Sequence, residues 1–352
     1  DFFKTINYPV KYIIPNRFKH GYGLSTKVVD LIHEGLVITV DNGISAVASS
    51  KLLKAKGIDL IITDHHTVGD ELPVALAIIN PKQENCNFPF KEICGAQVAW
   101  YLCAAVKSEL NLDVNMGDFL DLLCIAIIAD IMPMTSLNFT MVKQGLLKIK
   151  TSTRPALIEL NETMRKEKYI SDDIGFLIAP KINSAGRMED ASTALEFLLS
   201  RNTIDARDGL YALNELNDHR KTLQEQISQK AMAEANDNDT VIVVWGEDWH
   251  EGVIGIVASK LSNHFKKPAF IFSITDGIAK GSARANGEVN LHEMITQTQD
   301  LLLGYGGHKN AAGLSLNAKN LNSFKEKINE VVSFDNKPLH NNVNTIGELD
   351  VA

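Results

Sequence analysis

The chain has 352 residues, enough for two domains, and its apolar content of 45% and charged content of 22% are those of a globular protein with a real core. The formal net charge of −8, with no long basic run, argues against extended nonspecific binding to duplex nucleic acid, although net charge does not report local charge. No apolar run reaches the roughly 18 residues that a membrane span needs, and Cys86, Cys94, Cys103 and Cys124 show no CxxC spacing, which argues against a zinc ribbon or disulfide framework and fits a reducing cytoplasm.

Tyr8 to Ile14 predicts a strand, with Val10 and Tyr12 on one face and Lys11 and Ile13 on the other, that Pro15 stops. Asn16 to Ser25 predicts a loop, with Gly21 and Gly23 allowing tight turns around Tyr22. Arg17 is a candidate phosphate ligand through its planar donor fork, or equally the partner of a nearby acid. Tyr22 suits stacking on a base or ordinary packing. Val37 to Val40 is an apolar, β-branched run, as in a buried strand, and ends at the turn signal Asp41-Asn42-Gly43. Ser45 to Lys56 predicts a helix with Gly57 as its C-cap. Ile58 to Ile62 predicts a second strand, ended by Thr63-Asp64-His65-His66. Alone, each of these polar endings reads as an ordinary turn or solvated loop. Together they place carboxylate and imidazole groups at the C-terminal ends of two neighbouring strands, the edge where open parallel sheets bind ligands. Those donors suit a hard or borderline divalent cation.

Leu72 to Asn80 is a third strand-like run, Cys94 to Leu110 has helical spacing, and Gly117 to Ile131 predicts a nearly all-apolar, central helix. Asp130 near its end needs a partner. A helix N-cap role is the second option for it, but Met134 and Thr135 make a poor first turn. Pro155 to Lys168 predicts a helix that Pro155 begins, and Asp172 to Ile178 a short helical piece. Lys181 to Met188 predicts a loop holding Ser184, Gly186 and Arg187, a second candidate phosphate grip, before a helix over Ala191 to Ser200. Asp205 to Asn236 predicts one long, mostly solvated helix with a thin stripe of Leu210, Leu213, Leu216, Leu223 and Ile227. A second α/β unit follows: a strand at Val241 to Val244, a helix at Val253 to Phe265, a strand at Ala269 to Ile274, and a strand at Gly277 to Ala285 that carries Ser282 and Arg284. Leu291 to Leu303 predicts a helix and Gly304 to His308 a glycine-rich loop whose backbone N–H groups can cradle a phosphate or base. Ser323 to Val332 is an amphipathic helix, and Ile346 to Asp350 predicts the first strand of another module.

The triplet Asp64-His65-His66 resembles the signature of the DHH phosphoesterase superfamily. Pro15 to Ser25 (PNRFKHGYGLS), Ser184 to Met188 (SAGRM) and Trp249 to Ala258 (WHEGVIGIVA) resemble motifs of its RecJ-type exonucleases. Gly306-Gly307-His308 with Ala311-Ala312-Gly313 is similar to the glycine-rich signature of the DHHA1 domain. These motifs span nearly the whole chain in family order. The resemblance implies an α/β fold: a parallel-sheet DHH domain over residues 1–203, a connecting helix over 204–237, a smaller α/β DHHA1 substrate-binding domain over 238–335, and the start of a truncated OB-type module over 336–352.

The resemblance further implies a metal-dependent 5′→3′ exonuclease that hydrolyses phosphodiester bonds of single-stranded DNA in repair and recombination, in the cytoplasm. Two ions, Mn2+ or Mg2+, are expected, and imidazole tilts the choice towards Mn2+. In the roles so implied, Asp41 bridges the ions and His65 and Asp130 hold one of them. His66 serves the substrate phosphate, and Asp64 orients a histidine. Arg17, Tyr22, Arg187, Ser282, Arg284, Gly307 and His308 bind the strand. A single-strand-binding protein and a helicase are the implied partners. The chain departs from the pattern in one respect. RecJ-type proteins carry Asp-x-Asp upstream of Arg17, whereas Asp1 is the only acid in that stretch here, so the chain is read as beginning downstream of the motif. Two other classes share the site: a phosphodiesterase for short oligonucleotides or cyclic dinucleotides, and a non-catalytic replication scaffold. The long helix and the Asn16 to Ser25 loop count against the former, and the intact Asp41, His65, His66 and Asp130 against the latter.

Overall fold

The computed structural model describes residues 1–287 and 289–334, so the strand expected at 346–350 and the module at 336–352 lie outside the described residues. The chain divides into two compact units, Asp1–Asn217 and Asp218 onward. No described helix is long and apolar enough to cross a membrane.

The first unit opens with two short helices, α1 (Phe2–Thr5) and α2 (Thr26–Val29). Three strands follow, β1 (Leu36–Val40), β2 (Asp59–Thr63) and β3 (Ala77–Ile79), with α3 (Val47–Ala55) between the first two. They form a parallel sheet in the order β1-β2-β3. Its register pairs Val40 with Thr63 and Thr63 with Ile79, so all three strands end on one rung. Leu60 and Ile62 are buried together with Leu24, Val28, Val29 and Leu53, which explains the apolar runs that signalled the strands.

The rest of the unit is helical: α4 (Gly95–Glu109), α5 (Leu120–Ala129), α6 (Ser136–Thr151), α7 (Pro155–Met164), α8 (Ala179–Met188) and α9 (Ser192–Leu198). A 3-10 turn (Met116–Phe119) leads into α5, and a π turn (Asp173–Ile178) into α8. Their shared core includes Leu123, Ile127, Ile149, Leu157, Leu160 and Phe197. Leu157 is 0% exposed. Leu157→Ala is therefore expected to cost about 2–5 kcal/mol, the range for buried Leu truncation; chemical denaturation checks it, and a loss under about 1 kcal/mol would mean that the site collapses around the smaller side chain. The helix α10 (Thr203–Glu234) carries residues of both units.

The second unit holds β4 (Ile242–Glu247), α11 (Glu251–Phe265), β5 (Ala269–Thr275), β6 (Ile278–Arg284), α12 (Leu291–Thr296), β7 (Leu302–Gly307), β8 (Ala311–Asn317) and α13 (Leu321–Phe334). Among the described residues its sheet has the order β4-β5-β6-β8-β7, with β4 and β5 parallel and the other pairs antiparallel. Phe270 and Phe272 both meet Phe324 edge-on, at 5.6 and 5.5 Å between ring centroids, and anchor its core. The α/β class is as the sequence predicts.

Several elements differ from expectation. Residues 8–14 form no strand, because their alternating side chains find no sheet edge: Tyr8, Val10 and Tyr12 are all exposed. Residues 181–188 are helix rather than loop. Pro180 sits in the first turn of α8, where its missing N–H costs nothing, and one glycine does not break the helix. The expected helix at 291–303 stops at Thr296, and residues 302–307 are a strand rather than a glycine loop. Gly307 lies there at φ +146, and a Cβ on it would sit 2.4 Å from the Ala311 carbonyl oxygen and 2.5 Å from Ala312 Cα, so the close approach of the two strands calls for glycine at that position. Helix α6 was not foreseen; its N-cap is Thr135, whose side chain accepts from the Asn138 N–H. Asp130 instead follows the C-terminal turn of α5.

Candidate metal centre

The common rung of β1, β2 and β3 delivers Asp41, Asp64 and Asn80 to one sheet edge. Asp41 turns out of β1 with φ +64, a left-handed conformation that Asp and Asn tolerate best among residues with a Cβ. Its N–H donates to the Thr63 carbonyl (3.0 Å). Asn42 locks the turn by donating to the Val40 carbonyl (2.9 Å) and accepting from the Leu24 N–H (3.0 Å). Gly43, at φ +113, lies so close to Thr39 that a Cβ would sit 2.9 Å from Oγ1. The turn therefore demands its sequence.

Asp64 is buried and saturated. Its Oδ2 accepts from the Ile44 N–H (2.9 Å), and its Oδ1 from the N–H groups of His65 (2.7 Å) and His66 (3.2 Å) and from the His66 ring at Nδ1 (2.7 Å). Burial pushes this carboxyl up, but the His66 ring and the three N–H groups outweigh it and hold it at about 2. The same bond raises the His66 imidazole above its ordinary range.

His65 points the other way. Its Nε2 lies 3.1 Å from Asp41 Oδ1 and 3.4 Å from Asp130 Oδ2. Its buried Nδ1 has no hydrogen-bond partner among the described residues. The two imidazole rings are 4.6 Å apart, and one donor atom from each of Asp41, His65 and His66 falls within 4.8 Å of the others. Burial raises the Asp130 carboxyl, the Asp41 charge adds to the effect, and His65 opposes it. Two carboxylates aimed at one imidazole nitrogen form a donor set that fits a divalent cation, which would relieve their mutual repulsion.

The sequence marks Asn80 only as the end of a strand. It is buried, donates to the His66 carbonyl (3.0 Å) and accepts from the Lys82 N–H (2.8 Å), so it pins the histidine turn to the neighbouring strand. Gly95, the first residue of α4, backs directly on Asp41: a Cβ there would lie 2.2 Å from Oδ1 and 2.5 Å from Cα. Neither residue carries a motif, and no single-sequence signal marks them.

The other candidates form two groups. Arg17 lies over the Tyr22 ring at 5.1 Å from its centroid, a cation–π contact that occupies one face of an otherwise exposed side chain. Asn16 donates to the Glu189 carbonyl (2.9 Å) and the Asp190 carboxylate (3.2 Å), which ties this loop to the end of α8, where Arg187 sits. In the second unit, Arg284 donates to Ser282 Oγ (3.0 Å) on the same strand. The sheet pairs Arg284 with Ala311 and Gly307 with Ala312, so β8 brings Arg284, Gly307 and His308 to one end of that sheet.

The DHH family N-terminal domain model matches residues 1–127, and the DHHA1 domain model matches residues 238–333. The chain is 37% identical over 353 residues to the single-stranded-DNA-specific exonuclease RecJ of Bacillus subtilis, covering 97% of this chain and 44% of that protein. It is 36% identical over 352 residues to the protein of the same description from Escherichia coli, covering 92% of this chain and 61% of that one. The chain thus spans about half the length of these curated relatives. A crystal structure of exonuclease RecJ bound to manganese aligns with a TM-score of 0.83 at 32% identity, covering 96% of this chain and 86% of that one. The structure of RecJ in complex with Mn2+ from Thermus thermophilus gives 0.84 at 30%, covering 96% and 50%.

Proposed function

The chain belongs to the RecJ family of DHH–DHHA1 proteins, and from that premise we propose that it is a metal-dependent exonuclease acting on single-stranded DNA from a 5′ end. The observation that supports this reading most is the convergence of Asp41, His65 and Asp130 at one sheet edge. These three residues would hold a divalent cation such as Mn2+ or Mg2+, with Asp41 as the central carboxylate ligand. When bound, the cation acts as a Lewis acid on the phosphoryl group and makes water a nucleophile at neutral pH. His66 has Nδ1 engaged by Asp64, which leaves Nε2 as the donor to a phosphoryl oxygen. The raised imidazole pKa favours the doubly protonated ring that this role requires.

Arg17 and Arg187 on one unit, and Ser282, Arg284, Gly307 and His308 on the other, are proposed to hold the strand, with Tyr22 stacking on a base. Arg187→Ala and Arg284→Ala are each expected to weaken single-strand binding and to flatten its salt dependence by about 0.7 in log–log slope, the value for one phosphate contact on a single strand, with Mn2+ affinity unchanged. Fluorescence anisotropy across a salt series checks this; an unaltered slope with altered metal binding would move the residue to the metal centre. A single-strand-binding protein and a helicase are proposed partners, and the cytoplasm the proposed location, which the free state of Cys86, Cys94, Cys103 and Cys124 suits. The deciding experiment is digestion, by the complete protein, of a 5′-labelled single strand, the same strand in duplex, and a dinucleotide, with Mn2+ or with chelator. Degradation of the single strand alone, stopped by chelator, is expected. Preferential cleavage of the dinucleotide would favour a small-substrate phosphodiesterase, and no cleavage at all a scaffold.

A further inference from the structure

We infer that the buried amide pair Gln97–Asn138 sets the separation between Asp41 and Asp130, and so acts as a positioning device for the metal centre; this rests on the metal-dependent reading above. The two carboxylates belong to elements far apart in sequence. Asp41 ends β1 and is backed by Gly95 at the start of α4, while Asp130 ends α5 and opens the turn that leads into α6. One side-chain pair ties these two places together. Gln97 Oε1 accepts from the Cys94 N–H (2.9 Å), and Gln97 Nε2 donates to Asn138 Oδ1 (2.9 Å), with Met141 Sδ at 3.3 Å. Asn138 Nδ2 in turn donates to the Pro133 carbonyl (2.8 Å) and the Glu92 carbonyl (2.8 Å). Both residues are 0% exposed. The bonds therefore run without a break from the residues that precede Gly95 to the turn that follows Asp130.

Packing alone does not call for this arrangement. Apolar side chains would join α4 to α6 without the desolvation that two buried amides incur. What amides add is direction: a bond of 2.8–2.9 Å resists sliding that an apolar contact tolerates. A ligand set needs that resistance, because its members must hold position to within about 0.5 Å. Each end of the pair also satisfies backbone groups that the chain breaks leave open: the Cys94 N–H before α4, and the Pro133 and Glu92 carbonyls in the turns.

The test uses Gln97→Met, Asn138→Leu and the double variant, with Leu157→Ala as a control that destabilises the same unit while leaving both amides in place. Mn2+ binding is measured by calorimetry at 25 °C, and the Asp41–Asp130 carboxylate separation in metal-free crystals. Each single variant is expected to weaken Mn2+ binding about tenfold, the lower end of the range for groups that orient ligands. The double variant should be no weaker than the worse single, and the carboxylate separation should shift in all three. Leu157→Ala should leave both readouts unchanged. If Gln97→Met lowers thermal stability as Leu157→Ala does but moves neither readout, the pair is only a core contact and the inference fails. If the unaltered protein binds no Mn2+, the metal-dependent reading falls, and the carboxylate separation in Gln97→Met still decides the inference. Should that variant not fold, Gln97→Glu replaces it, since it keeps the acceptor for Cys94 and removes the donor to Asn138.

Discussion

Asp41→Asn is expected to lower turnover on a 5′-labelled single strand at least about a hundredfold, or ~2.7 kcal/mol of barrier, with the fold retained. The fold should survive because Asn tolerates the left-handed conformation that Asp41 adopts at φ +64, and because the backbone bond to Thr63 does not involve the side chain. What changes is charge. The substitution removes one of two carboxylates that approach His65 Nε2, the one at 3.1 Å, and a neutral amide is a poorer ligand for a hard cation. The check pairs a turnover assay with a thermal melt. Retention of more than about a tenth of the activity, a loss under ~1.4 kcal/mol, would remove Asp41 from the centre of the site.

Gly95→Ala is expected to do comparable damage without replacing a ligand. On helix propensity alone the change should help, since Ala is favoured over Gly by about 1 kcal/mol within a helix. Against that stands geometry: the new Cβ would fall 2.2 Å from Asp41 Oδ1 and 2.5 Å from its Cα and Cβ. Backbone lies behind that contact, so no rotamer change relieves it, and either Asp41 or the start of α4 must move. An ångström of misplacement in a catalytic group costs on the order of a hundredfold in rate. Turnover and Mn2+ affinity should therefore both fall while helical circular dichroism is kept. Full activity in Gly95→Ala would mean that the turn at Asp41 yields more easily than its hydrogen bonds suggest.

The sheet was legible because its strands read as short apolar runs with polar endings, although only β2 is largely buried and Leu36 and Val40 of β1 are half exposed. Val37 to Val40 and Ile58 to Ile62 end where the structure ends them, to within a residue. The convergence of Asp41 with the histidines was legible for the same reason, since parallel neighbours deliver their C-terminal residues together. Asp130 was singled out as a charge in an apolar helix. The errors have a common cause. Tyr8 to Ile14 alternates like a strand, but alternation makes a strand only where an edge is open to it. Glycine reads as loop at Gly186 and again at Gly304 to Gly307, yet glycine also marks close packing, as at Gly307, where a Cβ would lie 2.5 Å from Ala312 Cα. Asn80, Gly95, Gln97 and Asn138 stayed hidden because their work is defined by partners distant in sequence, Gln97 and Asn138 being 41 positions apart.

The shared rung at the ends of β1, β2 and β3 bears on how such centres are recognised and altered. A residue added to or removed from a strand slides its terminus by about 3.3 Å and turns every side chain over, so strand lengths are rigid. The segment from Ile44 to Ile58, which leaves the sheet and returns through α3, has no such rule: it can lengthen or shorten at its far end while both termini stay level. Search patterns for related centres should accordingly anchor on paired strand endings and let the intervening length float. Grafting experiments should place insertions near Gly57, where a left-handed glycine at φ +71 has open space around it, and never between Leu36 and Gly43.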